Sequence, residues 1–219
     1  MIPPVAFRGW PAEAIEFFEG LEADNSKGYW QDHLGTYERA VKGPTEELLR
    51  ELEPEFGAGR LFRPYRDVRF SKDKSPYKTN AAAMVGRSGY VSLSAQGLGV
   101  GSGMHLMAPD QLERYRAAVA AEESGEQLEA IVAAVVKTGA ECIASDPLKT
   151  APRGYAKDHP RIGLLQGKGL VVWRQWPPAR WLGTAGAKER VIDVLRTARP
   201  LNDWLAEHVG ESSMAGEAR

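Results

Sequence analysis

The chain has 219 residues, of which 43% are hydrophobic and 26% are charged. This composition is typical of a globular protein with a packed core and argues against a disordered or fibrous chain. The 28 Lys and Arg residues nearly balance the 29 Asp and Glu residues, and the resulting net charge of −1 excludes a uniformly basic protein that coats nucleic acid.

Cysteine and histidine are few and scattered. The single Cys142 cannot form an internal disulfide, and the four histidines lack the spacing of a zinc site. We therefore predict no metal and no cofactor, and a reducing cytoplasmic location. The first residues lack the basic start and unbroken apolar stretch of a signal peptide. No apolar run approaches the ~20 residues that span a bilayer, so we expect no membrane partner. The sequence indicates no particular oligomeric state.

The first quarter of the chain has helical periodicity. Apolar residues recur at intervals of three and four after Pro11, which predicts an amphipathic helix with proline in its first turn. A second stripe covers residues 30–41 and is predicted to end at Gly43 and Pro44, because these residue types punctuate helices. A third helix is predicted over residues 45–52.

The central part of the chain changes to a period of two, which is typical of strands. Residues 61–70 read as an extended segment, with Pro64 indicating an edge or a bulge. Residues 90–96 alternate well, and residues 98–107 can return beside them as an antiparallel hairpin. A short buried strand is predicted over residues 170–173. Further helices are expected over residues 109–119 and, after a capping box at Ser124 and Gln127, over residues 128–135. A last helical hairpin is expected from residues 191–198 and 201–205, on either side of Pro200.

Four glycines alternate in the second half of the predicted hairpin, at Gly97, Gly99, Gly101 and Gly103. In a strand they leave one face without side chains. Such a face admits either a ligand or a closely packed helix.

The order of helices, strands and helices again predicts an α+β fold, in which a mainly antiparallel central sheet carries helices from both chain ends. We predict a single domain over residues 1–209. Residues 210–219 have no apolar stripe and are predicted to form a flexible tail.

Residues 63–80, RPYRDVRFSKDKSPYKTN, form a basic segment in an otherwise acidic chain. Six cationic and two anionic side chains give this segment a net charge of +4, which leaves −5 for the rest of the chain. A local cluster of this kind focuses the electrostatic field and attracts anions. Within it, Asp67 is the nearest partner that could align Arg69, because a guanidinium pairs in a bidentate manner with a carboxylate or a phosphate.

The basic segment, the glycine-rich hairpin and the later string LKTAPRGYAKDHPRIGLLQGKGLVVWRQW together resemble the bacterial family called domain of unknown function 2461. The resemblance extends from the first helix to about Leu205, and the string RDVRFSKDKSPYK is its specific part. Asp24 and Tyr29 stand where the family's N-terminal helix pair usually has an asparagine and a charged residue. The resemblance implies membership of a family and no particular reaction.

A second charged segment, residues 149–161, places Arg153 and Tyr155 in a stretch that resembles the family's PxGYxxDHP pattern. Both residues are candidate members of a site. Asp158 beside His159 permits two interpretations, a pair for proton transfer or a helix start in which Asp158 caps the first turn. Capping is the commoner role for an aspartate at a helix start that has a proline, here Pro160, in its first turn.

We predict a pocket for a small anionic molecule, a carboxylate or a phosphate, built on the basic segment. In this hypothesis Arg69 and Lys78 hold the anion, and Asp67 orients an arginine or acts as a general base. Tyr77 or Tyr155 donates a proton or a hydrogen bond. The predicted ligand-binding residues are Arg66, Arg69, Lys74, Lys78 and Arg153, and the predicted catalytic residues are Asp67, Tyr77 and Tyr155.

Two other functions fit the same segment. Its cations, interleaved with Tyr65, Phe70 and Tyr77, suit nucleic acid or a phosphorylated partner if they are spread along an exposed face. The acidity of the rest of the chain favours the small anion over these partners. In a purely structural alternative the ion pairs only lock the fold, and substitution of Asp67 would cost much stability.

Overall fold

The computed structural model describes residues 6–69 and 71–214. The helices are α1 (Ala12–Ala23), α2 (Lys27–Thr36), α3 (Gly43–Phe56), α4 (Pro109–Ala120), α5 (Glu122–Lys137), α6 (Ile162–Gln166), α7 (Gly186–Thr197) and α8 (Arg199–His208). The strands are β1 (Arg60–Leu61), β2 (Asn80–Val85), β3 (Gly89–Ser94), β4 (Gly97–Met104), β5 (Glu141–Ser145) and β6 (Gly169–Trp176). A π-helical turn covers Tyr37–Lys42 and a 3₁₀ turn covers Arg180–Gly183. Phe70, the residues at the very start of the chain and the last five residues of the predicted tail lie outside the described residues.

The strands form one sheet with the order β1-β2-β3-β4-β6-β5. The ladders that join β1 to β2, β2 to β3 and β5 to β6 are antiparallel. Helices precede and follow the central strands along the chain. The predicted α+β class with a mainly antiparallel sheet is therefore confirmed.

Strand β2 was not predicted from the sequence, although it pairs with β3 along its whole length. Its core is the run Ala81-Ala82-Ala83, and alanine has a low strand propensity. All three alanines are buried, because their small side chains lie between the sheet and its neighbours. Tertiary packing therefore decides the conformation of this segment.

The chain divides into two compact units by its internal contacts. The first comprises Met1–Val100 and Gln175–Asp193, and the second comprises Gly101–Arg174 and Val194–Arg219. The predicted division into residues 1–209 and a tail stays a prediction. Within the described residues, no helix combines the length and the apolar character that crossing a membrane requires.

In the first unit, helices α1 and α3 contact strands β3 and β2, respectively. The fully buried side chains here include Phe18, Leu21, Leu48, Leu52, Leu93 and Leu98. Polar bonds join the segment before α1 to the start of α3, because the Trp10 indole N–H donates to the Thr45 hydroxyl (3.0 Å) and that hydroxyl donates to the Val41 carbonyl (2.7 Å). The apolar stripes that the sequence predicted for α1 and α3 are the faces that this unit buries.

The helix predicted to stop at Gly43 and Pro44 continues through them, so that prediction is wrong. The π-helical turn Tyr37–Lys42 joins α2 to α3, and the Gly43 amide donates to the Glu38 carbonyl five residues earlier. A proline inside an α-helix clashes with the carbonyl four residues before it. The wider π turn ahead of Pro44 places this residue in the first turn of α3, where a missing N–H costs nothing.

In the second unit, α4, α5 and α8 pack around Tyr115, Leu128 and Trp204. The Trp204 indole N–H donates to the Ser124 carbonyl (3.0 Å). Beyond α8 the chain stays bound to α4, because Asp110 accepts hydrogen bonds from the Ser212 hydroxyl (2.6 Å) and the Ser213 amide (2.9 Å). These bonds attach the first residues of the segment that the sequence assigned to a flexible tail.

The alternating glycines of β4 are explained by close packing. A side chain at Gly97 would collide with the backbone of Trp176, and one at Gly101 would collide with the ring of Trp173. Strand β6 therefore occupies the space that these two glycines leave open, so the close packing is with a strand and not with the helix that the sequence predicted.

Candidate functional site

The basic segment lies between β1 and β2 and forms a narrow loop. Its base is closed by an antiparallel bridge between Tyr65 and Tyr77, flanked by the bonds from the Arg66 amide to Pro76 (2.9 Å) and from the Lys78 amide to Pro64 (2.8 Å). The extended strand predicted over residues 61–70 ends after Leu61, so that prediction is only partly right. The strand stops because Pro64 has no N–H to donate to a neighbouring strand. Side chains within the loop bond to several of the loop's backbone groups instead.

Asn25 and Trp30 fix this loop to the start of α2. The Asn25 side chain accepts from the Tyr77 amide (3.1 Å) and donates to the Tyr77 carbonyl (3.0 Å). The Tyr77 ring is buried and stacks on Trp30, with ring centroids 4.3 Å apart and planes 7° apart. Burial raises the pKa of Tyr77. The residue that the sequence proposed as a proton donor thus has a clear role as the anchor of the loop.

The two acidic residues of the basic segment are paired with its arginines. Arg69 forms a fork on Asp67, with its Nε and Nη2 atoms 2.9 and 2.6 Å from the two carboxylate oxygens. Arg66 pairs with Asp73, whose other oxygen accepts from the Ser75 amide (2.9 Å) and hydroxyl (2.6 Å). The sequence-based pairing of Asp67 with Arg69 is therefore present in the structure.

The hydrogen bonds from Arg69 lower the pKa of Asp67 to about 2. A carboxylate with such a low pKa holds a proton poorly, so the geometry favours the orienting role proposed for Asp67 over general base catalysis. The pKa of Asp73 is also held well below its usual range, first by the Ser75 hydroxyl and then by Arg66. Both carboxylates are ionised partners of the loop at neutral pH.

The lysines of the basic segment are placed separately. The Lys74 ammonium group donates to the Val68 carbonyl (2.9 Å), and the Lys78 ammonium group lies 5.5 Å from the centre of the Phe62 ring. Arg63 and Lys72 are exposed, and among the described residues neither has an ion-pair partner. The loop therefore presents its positive charge outward, and the predicted small-anion pocket on residues 66–78 stays a prediction.

Arg153 and Tyr155, the two site residues predicted outside the basic segment, lie in the second unit. They belong to the loop of residues 146–161 that joins β5 to α6. The Tyr155 amide donates to the Pro152 carbonyl (3.2 Å), and Gly154 between them has a φ of +89°. A glycine with positive φ at the third position is typical of a type II turn. This turn brings the side chains of Arg153 and Tyr155 to the same cleft.

We call this cavity the arginine cleft. Its volume is about 560 Å³. It is lined by Pro109, Leu112, Glu113, Arg116, Arg153, Gly154 and Tyr155. The first four of these residues recur along α4 at helical spacing and so share one face of that helix. The cleft therefore lies between one face of α4 and the tight turn at residues 152–155.

Arg116 is the site residue that the sequence did not reveal. Its Nε atom donates to the Leu165 carbonyl (3.0 Å) at the end of α6, and this bond directs the guanidinium without using its terminal nitrogens. Among the described residues, no carboxylate forms an ion pair with Arg116 or Arg153. Arg116 sits in a helix with several other charges, so no sequence spacing marks it out.

Two other cations of the second unit, Arg161 and Lys168, have acidic partners. Arg161 donates from Nε to Glu129 (2.8 Å) and from Nη1 to the Ala121 carbonyl (3.1 Å), and Lys168 pairs with Asp146 (2.7 Å). These bonds attach the loop of residues 146–161 to its surroundings. Arg116 and Arg153 differ from these two cations because they line the cleft and have no acidic partner among the described residues.

The interpretation of Asp158 as a helix cap is wrong. Helix α6 begins at Ile162, and it is the His159 ring that accepts a hydrogen bond, through Nδ1, from the Arg161 amide (3.0 Å). The His159 nitrogen therefore satisfies a backbone N–H just before α6, which is the role that was predicted for the Asp158 carboxylate. His159 thus has a structural bond at the start of α6.

The fold and the cleft define an α+β protein with an antiparallel sheet and a small cavity that carries two arginines. The chain belongs to the family described as conserved hypothetical protein (DUF2461), whose family model matches residues 13–204. No match was found among curated proteins or among solved structures. The family resemblance inferred from the sequence motifs is confirmed.

Proposed function

We propose that this protein binds a small anionic molecule, a carboxylate or a phosphate ester, in the arginine cleft. The observation that carries the proposal is the presence of two guanidinium groups, those of Arg116 and Arg153, that share one cleft and have no acidic partner among the described residues. Unpaired guanidinium groups in a concave site are suited to bidentate contact with carboxylate or phosphate oxygens.

The other lining groups suit this ligand. The Tyr155 hydroxyl can donate a hydrogen bond to an anionic oxygen, and Leu112 offers apolar contact to the rest of a small molecule. Glu113 is the one carboxylate of the lining, so it suits a ligand that also carries a hydroxyl or ammonium donor. The volume of the cleft is within the range of small-molecule sites, about 300 to 1,000 Å³.

The proposal places the anion in the second unit, whereas the sequence placed it on the basic segment. The reason is that Asp67 and Asp73 already occupy the forks of Arg69 and Arg66. An anion at that loop would have to compete with an attached carboxylate. The cytoplasmic and bacterial setting remains part of the proposal, and it rests on the single cysteine and on the resemblance to a bacterial family.

Calorimetric titration with inorganic phosphate, pyrophosphate and citrate tests this function. We expect saturable binding of at least one of these anions, and Arg153→Ala should weaken it about tenfold or more, because a charge-assisted pair is lost. Lys157→Ala is the matched control, since it removes one exposed positive charge from the same loop without touching the cleft lining.

Arg153 is exposed and forms no ion pair in the described part of the chain, so its substitution leaves the fold intact. Equal affinity in wild type, Arg153→Ala and Lys157→Ala would overturn the proposal. So would the absence of heat with all three anions.

A further inference from the structure

We infer that the basic segment is a docking surface for single-stranded nucleic acid. This inference goes beyond the proposed function and does not rest on it, because it concerns residues of the first unit. The segment carries a net charge of +4 in a chain whose remainder carries −5. Positive potential is therefore concentrated on this one loop, and a polyanion would be attracted to it in preference to the rest of the surface.

Four of the six cations of the loop are exposed, and Arg66 and Lys78 are half-buried. The Arg69 side chain is 77% exposed, and Arg63, Lys72 and Lys74 are exposed as well. Asp67 and Asp73 each engage one arginine, and among the described residues Arg63 and Lys72 have no ion-pair partner. Separate, exposed charges of this kind match a row of phosphates better than they match a single small anion.

Tyr65 adds an aromatic platform within the same loop. It is one of the few large apolar residues that the described surface exposes, with 52% of its area accessible. Its ring is backed by Tyr77 at 5.5 Å and by Trp30 at 6.1 Å between ring centroids. The rings of Tyr77 and Trp30 are buried, so Tyr65 is the point at which this aromatic cluster reaches solvent.

Stacking of a base on an aromatic ring beside backbone-binding cations is the mode by which proteins hold single strands. Arg63, which has no ion-pair partner among the described residues, lies two residues before Tyr65, so a cation that is available to phosphate is close to the ring in the sequence. The bridge of Tyr65 with Tyr77 and the Asn25 bonds hold the loop before any partner arrives. A surface that is ordered in advance loses less conformational entropy on binding.

A phosphopeptide would not need the exposed ring, so nucleic acid is the favoured partner.

Fluorescence anisotropy with a labelled oligothymidine of about 12 nucleotides tests the inference at several salt concentrations between about 50 and about 200 mM. Wild type should bind, with an affinity that falls as salt rises. The double substitution Arg63→Ala with Lys72→Ala should weaken binding about tenfold or more and flatten the salt slope by about 1.4, since each lost phosphate contact contributes about 0.7 for single strands.

Tyr65→Ala should weaken binding about tenfold while the salt slope stays the same, because stacking releases no counterions. The double substitution Lys149→Ala with Lys157→Ala removes the same charge from the second unit and should behave as wild type. Absence of binding at the lowest salt would overturn the inference. An oligonucleotide that binds Tyr65→Ala as tightly as wild type, or a phosphopeptide that binds more tightly than the oligonucleotide, would also overturn it. Arg153→Ala should leave oligonucleotide binding unchanged, so failure of the small-anion function leaves this result interpretable.

Discussion

At the scale of single residues, the partner of each cation decides what that cation can do. Arg69 and Arg161 each donate to a carboxylate, Asp67 and Glu129 respectively, and so they hold loops in place. Arg153 has the same chemical group but no acidic partner among the described residues, and it lines a cleft. We therefore base the proposed small-anion site on cations that lack an acidic partner, and not on the clustering of positive charge in the sequence.

The pair of Asp67 with Arg69 gives a pH dependence with a definite sign. The pKa of Asp67 is lowered in the folded chain, so the pair contributes fully above about pH 4 and is lost as the pH falls towards 2. We expect an NMR titration of the Asp67 carboxyl carbon to give a pKa of about 2, and Arg69→Met to raise it towards the ordinary value of 3.8.

Lys72→Met is the control for that titration, because it removes a neighbouring charge and leaves the fork on Asp67 intact. A carboxyl carbon that titrates at the same pH in wild type and in Arg69→Met would show that the fork does not exist in solution. The pair is exposed, so we expect neither variant to change thermal stability much, in contrast to the structural alternative.

At the scale of elements, the stacked pair of Tyr77 and Trp30 attaches the basic segment to helix α2. Tyr77→Ala removes a buried ring and should lower the free energy of unfolding by about 3 kcal/mol, measured by urea denaturation. Tyr65→Ala, at the exposed end of the same cluster, should cost less than about 1 kcal/mol. Equal losses for the two variants would contradict the assignment of Tyr77 as the anchor.

The turn at residues 152–155 positions one side of the arginine cleft. Gly154 adopts a φ of +89° and has open space around it, so Gly154→Ala is resisted by backbone conformation alone. We expect this variant to lose about 1 kcal/mol of stability and to bind phosphate more weakly, by calorimetry. Gly163→Ala is the matched control, since Gly163 also faces open space but lies in α6 at an ordinary φ. Phosphate affinity that is unchanged in Gly154→Ala would show that the turn does not shape the site.

The elements that could be predicted are those whose apolar spacing is regular. Helices α1 and α4, and strands β3 and β6, have such patterns and lie where the sequence placed them. Two kinds of element could not be found in this way. Strand β2 is built from alanines, which have a low strand propensity. The helix that continues through Pro44 depends on a π turn, which the spacing of apolar residues does not predict.

At the scale of the whole molecule, charge is divided between a basic loop in one unit and a small cleft in the other. The sequence located Arg153 and Tyr155 through a local motif, because both lie on one turn. It did not locate Arg116, which reaches the cleft from α4, about forty residues earlier in the chain. The tertiary fold brings distant segments together, and the spacing of residues within one segment does not predict which segments will meet.

The proposed function requires Arg116 and Arg153 to hold one anion together. The most direct test follows the arginine Nε–Hε signals by NMR while inorganic phosphate is added, with assignments from single-arginine variants. We predict saturable shifts of the Arg116 and Arg153 signals at one common affinity, while the Arg161 signal, held by Glu129, stays in place. Signals of Arg116 and Arg153 that do not move, or that drift without saturation together with every other arginine, would contradict the claim.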